Sequence, residues 1–164
     1  MSHSATSLNK LSRFFGASLI ALCAAQSAQA VETTILVQIN EYEGEKAYFS
    51  LYLVDPDGRY DRTLWVSGDE TKYFPDMPRW FRYLSRNAQE LDAITGASTG
   101  AGDRAVLTIE IDESLIDAGY ALRVETAVED RENYDEDVEV DLTTDNQGTK
   151  FEGSGYVRYI RYKF

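Results

Sequence analysis

The sequence predicts an all-β protein, an antiparallel sandwich of about seven strands with one short inserted helix. Three observations carry this. Short segments rich in β-branched and aromatic residues recur along the chain with period-two alternation, strong turn signals punctuate them, and a single stretch shows helical spacing instead.

TTILVQIN (33–40) places Ile35, Val37 and Ile39 on one face of a half-buried strand. KAYFSLYLV (46–54) follows as its expected pairing partner. Asp55-Pro56-Asp57-Gly58 is a turn, because Pro presets φ and Gly accepts positive φ, and it feeds YDRTLWV (60–66) as a hairpin strand. These three strands are expected to form a meander. In FPDMPRWFRYLSRNAQEL (74–91), Asp76 is a candidate N-cap and Pro78 fits the first turn, while Trp80, Leu84, Ala88 and Leu91 share one helical face. The Gly-rich LDAITGASTGAG comes next, and strand signals resume in RAVLTIEID (104–112), YALRVETAVED (120–130), VEVDLTT (138–144) and GYVRYIRYKF (155–164).

The first thirty residues set the compartment. Lys10 and Arg13 precede an apolar run from Phe14 to Ala25, and Ala28-Gln29-Ala30 is a small-x-small cleavage pattern, so residues 1–30 are expected to be a secretory signal peptide. The apolar run is shorter than the roughly 20 residues a bilayer span needs. A lipoprotein reading of Cys23 is disfavoured by the bulky Leu22 before it and by the better site downstream. Residues 31–164 are expected to form a single domain, exported to the periplasm with no stable membrane insertion.

The whole chain has 16 basic and 28 acidic side chains, and the leader contains two of the bases but no acid. So acidic a surface repels nucleic acid, which leaves solubility or docking of a basic partner as its use. The only histidine, His3, and the only cysteine, Cys23, both lie in the leader. A mature chain without thiol or imidazole has no Cys-ligated cluster, ordinary zinc site, blue-copper centre, disulfide or Ser-His-Asp triad. If such a protein carries electrons, an organic cofactor is the natural carrier.

Two charged features have competing readings. The acidic run Glu125 to Asp141 centres on an expected hairpin tip; its spacing fits no EF-hand loop, and a solvated turn is the favoured reading. Arg79, Arg82 and Arg86 fall on one face of the expected helix, interleaved with Trp80, Phe81 and Tyr83. They form either a surface stripe paired with nearby carboxylates or a site where guanidinium groups meet a phosphate and an aromatic ring stacks on a flat heterocycle.

The segment Asp92-Ala93-Ile94-Thr95-Gly96-Ala97-Ser98 fits D-x-x-[ST]-G-A-[ST] and resembles the flavinylation motif of exported proteins that carry covalent FMN. The resemblance implies that a flavin transferase esterifies FMN to Ser98, with Thr99 the adjacent hydroxyl one place late. Gly96 and Ala97 supply a slim, flexible step, and Asp92 and Thr95 would order the loop. More widely, AYFSLYLVDPDGRYDRTLWV, KYFPDMPRWFRY, DAITGAST and the RAVLTIEID and YALRVETAVEDR strands resemble the exported family called domain of unknown function 2271, over roughly residues 33–164. That resemblance implies an immunoglobulin-like sandwich working beside flavin transferases and membrane-bound redox proteins of PepSY type.

On this basis the chain is expected to be a periplasmic electron carrier with FMN on Ser98, the ring near Trp80 or Tyr83 and charge contacts from Arg79 or Arg82. It would be a substrate of the transferase more than an enzyme. The rival is a cofactor-free immunoglobulin-like binding or assembly module of the cell envelope. A hydrolase using paired carboxylates is a third class, but surface acids are too many to single out a pair.

Overall fold

The computed structural model describes residues 29–68, 70–86, 91 and 93–164. Eight strands form in chain order: β1 Ala30–Ile39, β2 Tyr48–Val54, β3 Tyr60–Ser67, β4 Thr95–Gly96, β5 Arg104–Asp112, β6 Ala121–Ala127, β7 Tyr134–Asp141 and β8 Val157–Lys163. They make a three-stranded sheet, ordered β5-β1-β8, and a five-stranded sheet, ordered β4-β3-β2-β6-β7. The all-β sandwich expected from the sequence is therefore formed, with eight strands in place of about seven. One pair departs from antiparallel: β4 runs parallel to β3, with Val66 opposite Thr95 and Ser67 opposite Gly96.

The expected meander is corrected. β2 pairs with β3 as a hairpin but not with β1, which lies in the other sheet between β5 and β8, with Ile35 opposite Leu107 and Tyr162. Alternation fixed the buried face of β1 without fixing its partners. The hairpin turn forms as expected: the Asp55 carboxylate accepts from the backbone N–H of Asp57 and Arg59, and Gly58 sits at φ +74°.

Two cores result. Between the sheets lie Ile35, Val37, Phe49, Leu51, Leu122 and Ile160, all fully buried. On the outer face of the larger sheet, Tyr52, Val54 and Val66 are covered by Phe74, Met77 and Trp80 from the helical segment. β2 is thus buried on both faces. That explains why KAYFSLYLV reads as a continuous apolar run instead of a clean alternation.

The helical segment is split. A 3₁₀ turn covers Thr71–Asp76, and helix α1 covers only Pro78–Leu84. Pro78 opens it as expected, but Asp76 does not cap it; the cap position is Met77, which has no side-chain hydrogen bond. The first N–H groups of α1 are satisfied from a distance instead. The Glu125 carboxylate, in β6, accepts from Arg79 N at 2.9 Å and Trp80 N at 2.6 Å. Ala88 lies outside the described residues.

Candidate functional site

The segment after the helix returns to the sheet at the free edge of β3. Ile94 N donates to Leu91 O and Thr95 Oγ1 donates to the same carbonyl at 2.8 Å, closing a turn that the Thr95 hydroxyl holds shut. Val66 N then donates to Ile94 O, and Gly68 N to Gly96 O. The Thr95 hydroxyl thus closes the turn that opens this loop, while Asp92 lies outside the described residues.

Gly96 has a second task. A Cβ at this position would run into the Trp65 indole, so only glycine lets that ring lie against the motif backbone. Beyond it, the Ser67 hydroxyl donates to Ala97 O at 2.9 Å and lies 2.9 Å from Thr99 Oγ1. Because the Ser67 proton is committed to Ala97, Thr99 must donate to Ser67. Thr99 is also buried, and its backbone exchanges two hydrogen bonds with Ala47. Ser98, between two anchored neighbours, is half-exposed and its hydroxyl makes no hydrogen bond among the described residues.

Ser98 lines an open cleft of about 450 Å³ between the β3–β4 edge of one sheet and the β5 edge of the other. Trp65, Asp103, Arg104 and Val106 line the same cleft. A second recess of about 360 Å³ continues along the seam on the far side of Trp65, past Ile94 and Ile109. Both volumes fall in the range of about 300–1,000 Å³ usual for small-molecule sites. The rim is held to β1: Gln38 Nε2 donates to Gly102 O at 2.7 Å and Gly102 N donates to Asn40 O. Arg104 is exposed and makes no ion pair among the described residues.

The helix residues singled out from the sequence lie elsewhere. Trp80 is 0 % exposed, packed edge-on against Phe74 at 5.0 Å with its Nε1 donating to Thr63 Oγ1 at 2.8 Å, so its ring has no free face. Arg79 pairs with Glu136 on β7 at 2.6 Å. β7 and β4 are opposite edges of the five-stranded sheet, four strand spacings or about 19 Å apart. Arg79 is therefore not brought to Ser98. Arg82 is exposed on α1, and Tyr83 stacks on Tyr60 at 5.1 Å.

Neither is the acidic run uniformly solvated. Glu125 and Asp137 are buried. Asp137 accepts from Thr126 Oγ1, Gly155 N and Val157 N, which replace water around its charge. Burial pushes the Glu125 carboxyl up to about 7, opposed by the N–H bonds from Trp80 and Arg79.

Sequence reasoning missed Trp65, Ser67 and Arg104. A signal was present for two of them: Trp65 is the one large ring in β3 facing the seam, and Arg104 is the first cation after the Gly-rich loop.

These features define a class, a β-sandwich with a small-molecule-sized cleft at one seam and a free hydroxyl on its rim. The chain belongs to the family of predicted periplasmic proteins named domain of unknown function 2271 (DUF2271), whose profile matches residues 30–159. This agrees with the periplasmic placement expected from the leader. No curated protein and no solved structure matches it significantly. No helix among the described residues is long and apolar enough to cross a membrane.

Proposed function

We propose that this protein is a periplasmic electron carrier with FMN esterified to Ser98, loaded by a flavin transferase and exchanging electrons with a membrane-bound redox protein of PepSY type. The observation that carries this reading is the freedom of the Ser98 hydroxyl on the rim of a cleft large enough for a heterocycle. In the loading step the Ser98 Oγ–phosphorus bond forms as the pyrophosphate bond of FAD breaks. AMP leaves, and the transferase takes the hydroxyl proton.

The residues present fit such a group. Arg104 offers an unpaired guanidinium to the phosphate. Trp65 offers a half-buried indole for stacking, and it takes the part the sequence had suggested for Trp80 or Tyr83. Asp103, the one acidic side chain among the residues that line the cleft, lies beside Gly100. Bound there, the flavin would supply reversible one-electron and two-electron chemistry at moderate potential, for which the mature chain has no thiol and, among the described residues, no side-chain cluster that could hold a metal ion. The chain's own contribution is position and electrostatics.

Co-expression with a flavin transferase, followed by intact mass and visible absorption, tests the reading. A yellow protein heavier by one FMN residue is expected, and Ser98→Ala is expected to be colourless and unmodified. An unmodified, colourless wild-type product from an active transferase overturns it and favours the cofactor-free immunoglobulin-like binding or assembly module.

A further inference from the structure

We infer that the outer face of the three-stranded sheet is a docking surface for an acidic protein partner. Cross-strand register puts Leu36, Val106 and Arg161 in one row of this face, Thr34, Thr108 and Lys163 in the next, and Gln38, Arg104 and Tyr159 in a third; the row beyond Thr34 carries Glu32 and Glu110, so the basic surface is the end of the face from Thr34 to Gln38. Val106, in the same row as the apolar and buried Leu36, is 60 % exposed. Around it stand Arg104, Arg161 and Lys163, and Lys150 lies over the Tyr159 ring at 4.4 Å.

None of these four cations takes part in an ion pair among the described residues, although the chain has 28 acidic side chains. Arg59, Arg62, Lys72, Arg79 and Arg123, by contrast, are each neutralised by a carboxylate. Four of the nine described cations without an ion pair thus share this one face, where an apolar spot is also exposed, while Lys46, Arg82, Arg86, Arg131 and Arg158 are spread over other parts of the chain. An apolar centre with a charged rim is the anatomy of a protein interface, and the sign of the rim selects an acidic partner.

The shape of the face favours a protein over an anionic bilayer. It contains a recess of about 390 Å³ lined by Thr34, Leu36, Val106, Gly148, Arg161 and Lys163. A projecting apolar side chain flanked by carboxylates fills such a recess, whereas a bilayer surface presents headgroups and no apolar projection. The strongly negative remainder of the molecule also repels anionic lipid while steering this face toward a partner. Val106 lines both this recess and the Ser98 cleft, so a docked partner would sit beside that cleft. The inference concerns the unmodified chain and stands apart from flavin attachment.

The test titrates purified unmodified protein into a fluorescein-labelled peptide of glutamates with leucine at every fourth position, read by anisotropy at two salt concentrations. In parallel, phosphatidylglycerol vesicles are assayed by flotation. Saturable, salt-sensitive binding of the peptide is expected, weakened about tenfold or more by Arg161→Glu with Lys163→Glu and severalfold by Val106→Ser. Lys46→Glu with Arg86→Glu, which changes net charge equally on other surfaces, is expected to bind as wild type. Arg161→Gln with Lys163→Gln guards against misfolding in the charge reversal, and all variants are compared by near-ultraviolet circular dichroism. Equal weakening by both charge-reversal pairs, no peptide binding by wild type, or a preference for vesicles overturns the inference.

Discussion

Thr99 Oγ1 donates to Ser67 Oγ across 2.9 Å, and Ser67 Oγ in turn donates to the Ala97 carbonyl. Under the proposed flavinylation, this chain of hydroxyls distinguishes two neighbouring candidate acceptors. Thr99 is buried and committed; Ser98 is neither. Thr99→Val is therefore expected to leave flavin loading by a transferase unchanged while lowering stability by about 1 kcal/mol, the usual cost of one lost hydrogen bond. Ser67→Ala strands both Thr99 and the Ala97 carbonyl and should cost more, about 1–3 kcal/mol. Urea unfolding measures the stabilities and intact mass the loading. Loss of modification in Thr99→Val would move the acceptor site by one residue.

The Trp65 ring and Gly96 make a coupled pair. Gly96→Ala places a methyl group where the indole lies, so either the ring rotates into the seam or β4 leaves the edge of β3. Overpacking of this kind costs about 1–3 kcal/mol. Trp80 is sealed from solvent, so acrylamide quenching of tryptophan fluorescence reports chiefly on Trp65 and should rise in Gly96→Ala. Trp65→Ala combined with Gly96→Ala is expected to cost less than the sum of the two changes, because removing the ring removes the clash.

How much of this was legible in the sequence differs by element. Period-two patterning gave the buried face of β1, and Asp55 to Gly58 gave the β2–β3 hairpin, because both are local signals. The partners of β1 were not legible: β5 and β8 lie far along the chain, and alternation says which way a strand faces without saying what it faces. The loop around Ser98 was legible from residue types alone. The ring that the proposed flavin would meet was not, because Trp80 and Trp65 are equally plausible until the fold packs Trp80 of α1 against the larger sheet and leaves Trp65 at the seam. Glu125 was hidden among exposed acids, since its task is to meet the first N–H groups of a helix that precedes it by more than forty residues.

Trp80 and Arg79 support the fold at a distance from the cleft. Trp80→Phe removes the hydrogen bond to Thr63 and leaves a void beside Phe74, and should lower stability by about 2–4 kcal/mol. Arg79→Ala breaks a partly exposed pair with Glu136 and should cost no more than about 1 kcal/mol. If the proposed flavinylation holds, both variants, where folded, are expected to be loaded to the same extent as wild type. A spectral shift of bound flavin in Trp80→Phe, with none in Trp65→Phe, would return the ring to the helix.

Glu125 gives the fold a pH dependence with a definite sign. Its carboxyl is pushed from the ordinary 4.5 up to about 7 by burial, so between those values the folded chain holds a proton that the unfolded chain has released. Stability from this group is therefore full below about pH 4.5 and is lost as pH rises through about 7, by about 3 kcal/mol at most. Glu125→Gln should abolish that slope. It should also lower stability by about 1–3 kcal/mol at acid pH, because an amide oxygen can accept from only one of Arg79 N and Trp80 N while its NH₂ faces the other donor. Urea unfolding of both proteins from pH 4.5 to 8 separates the two effects. If wild type and variant show parallel curves, the two backbone donors outweigh burial and keep Glu125 ionised throughout.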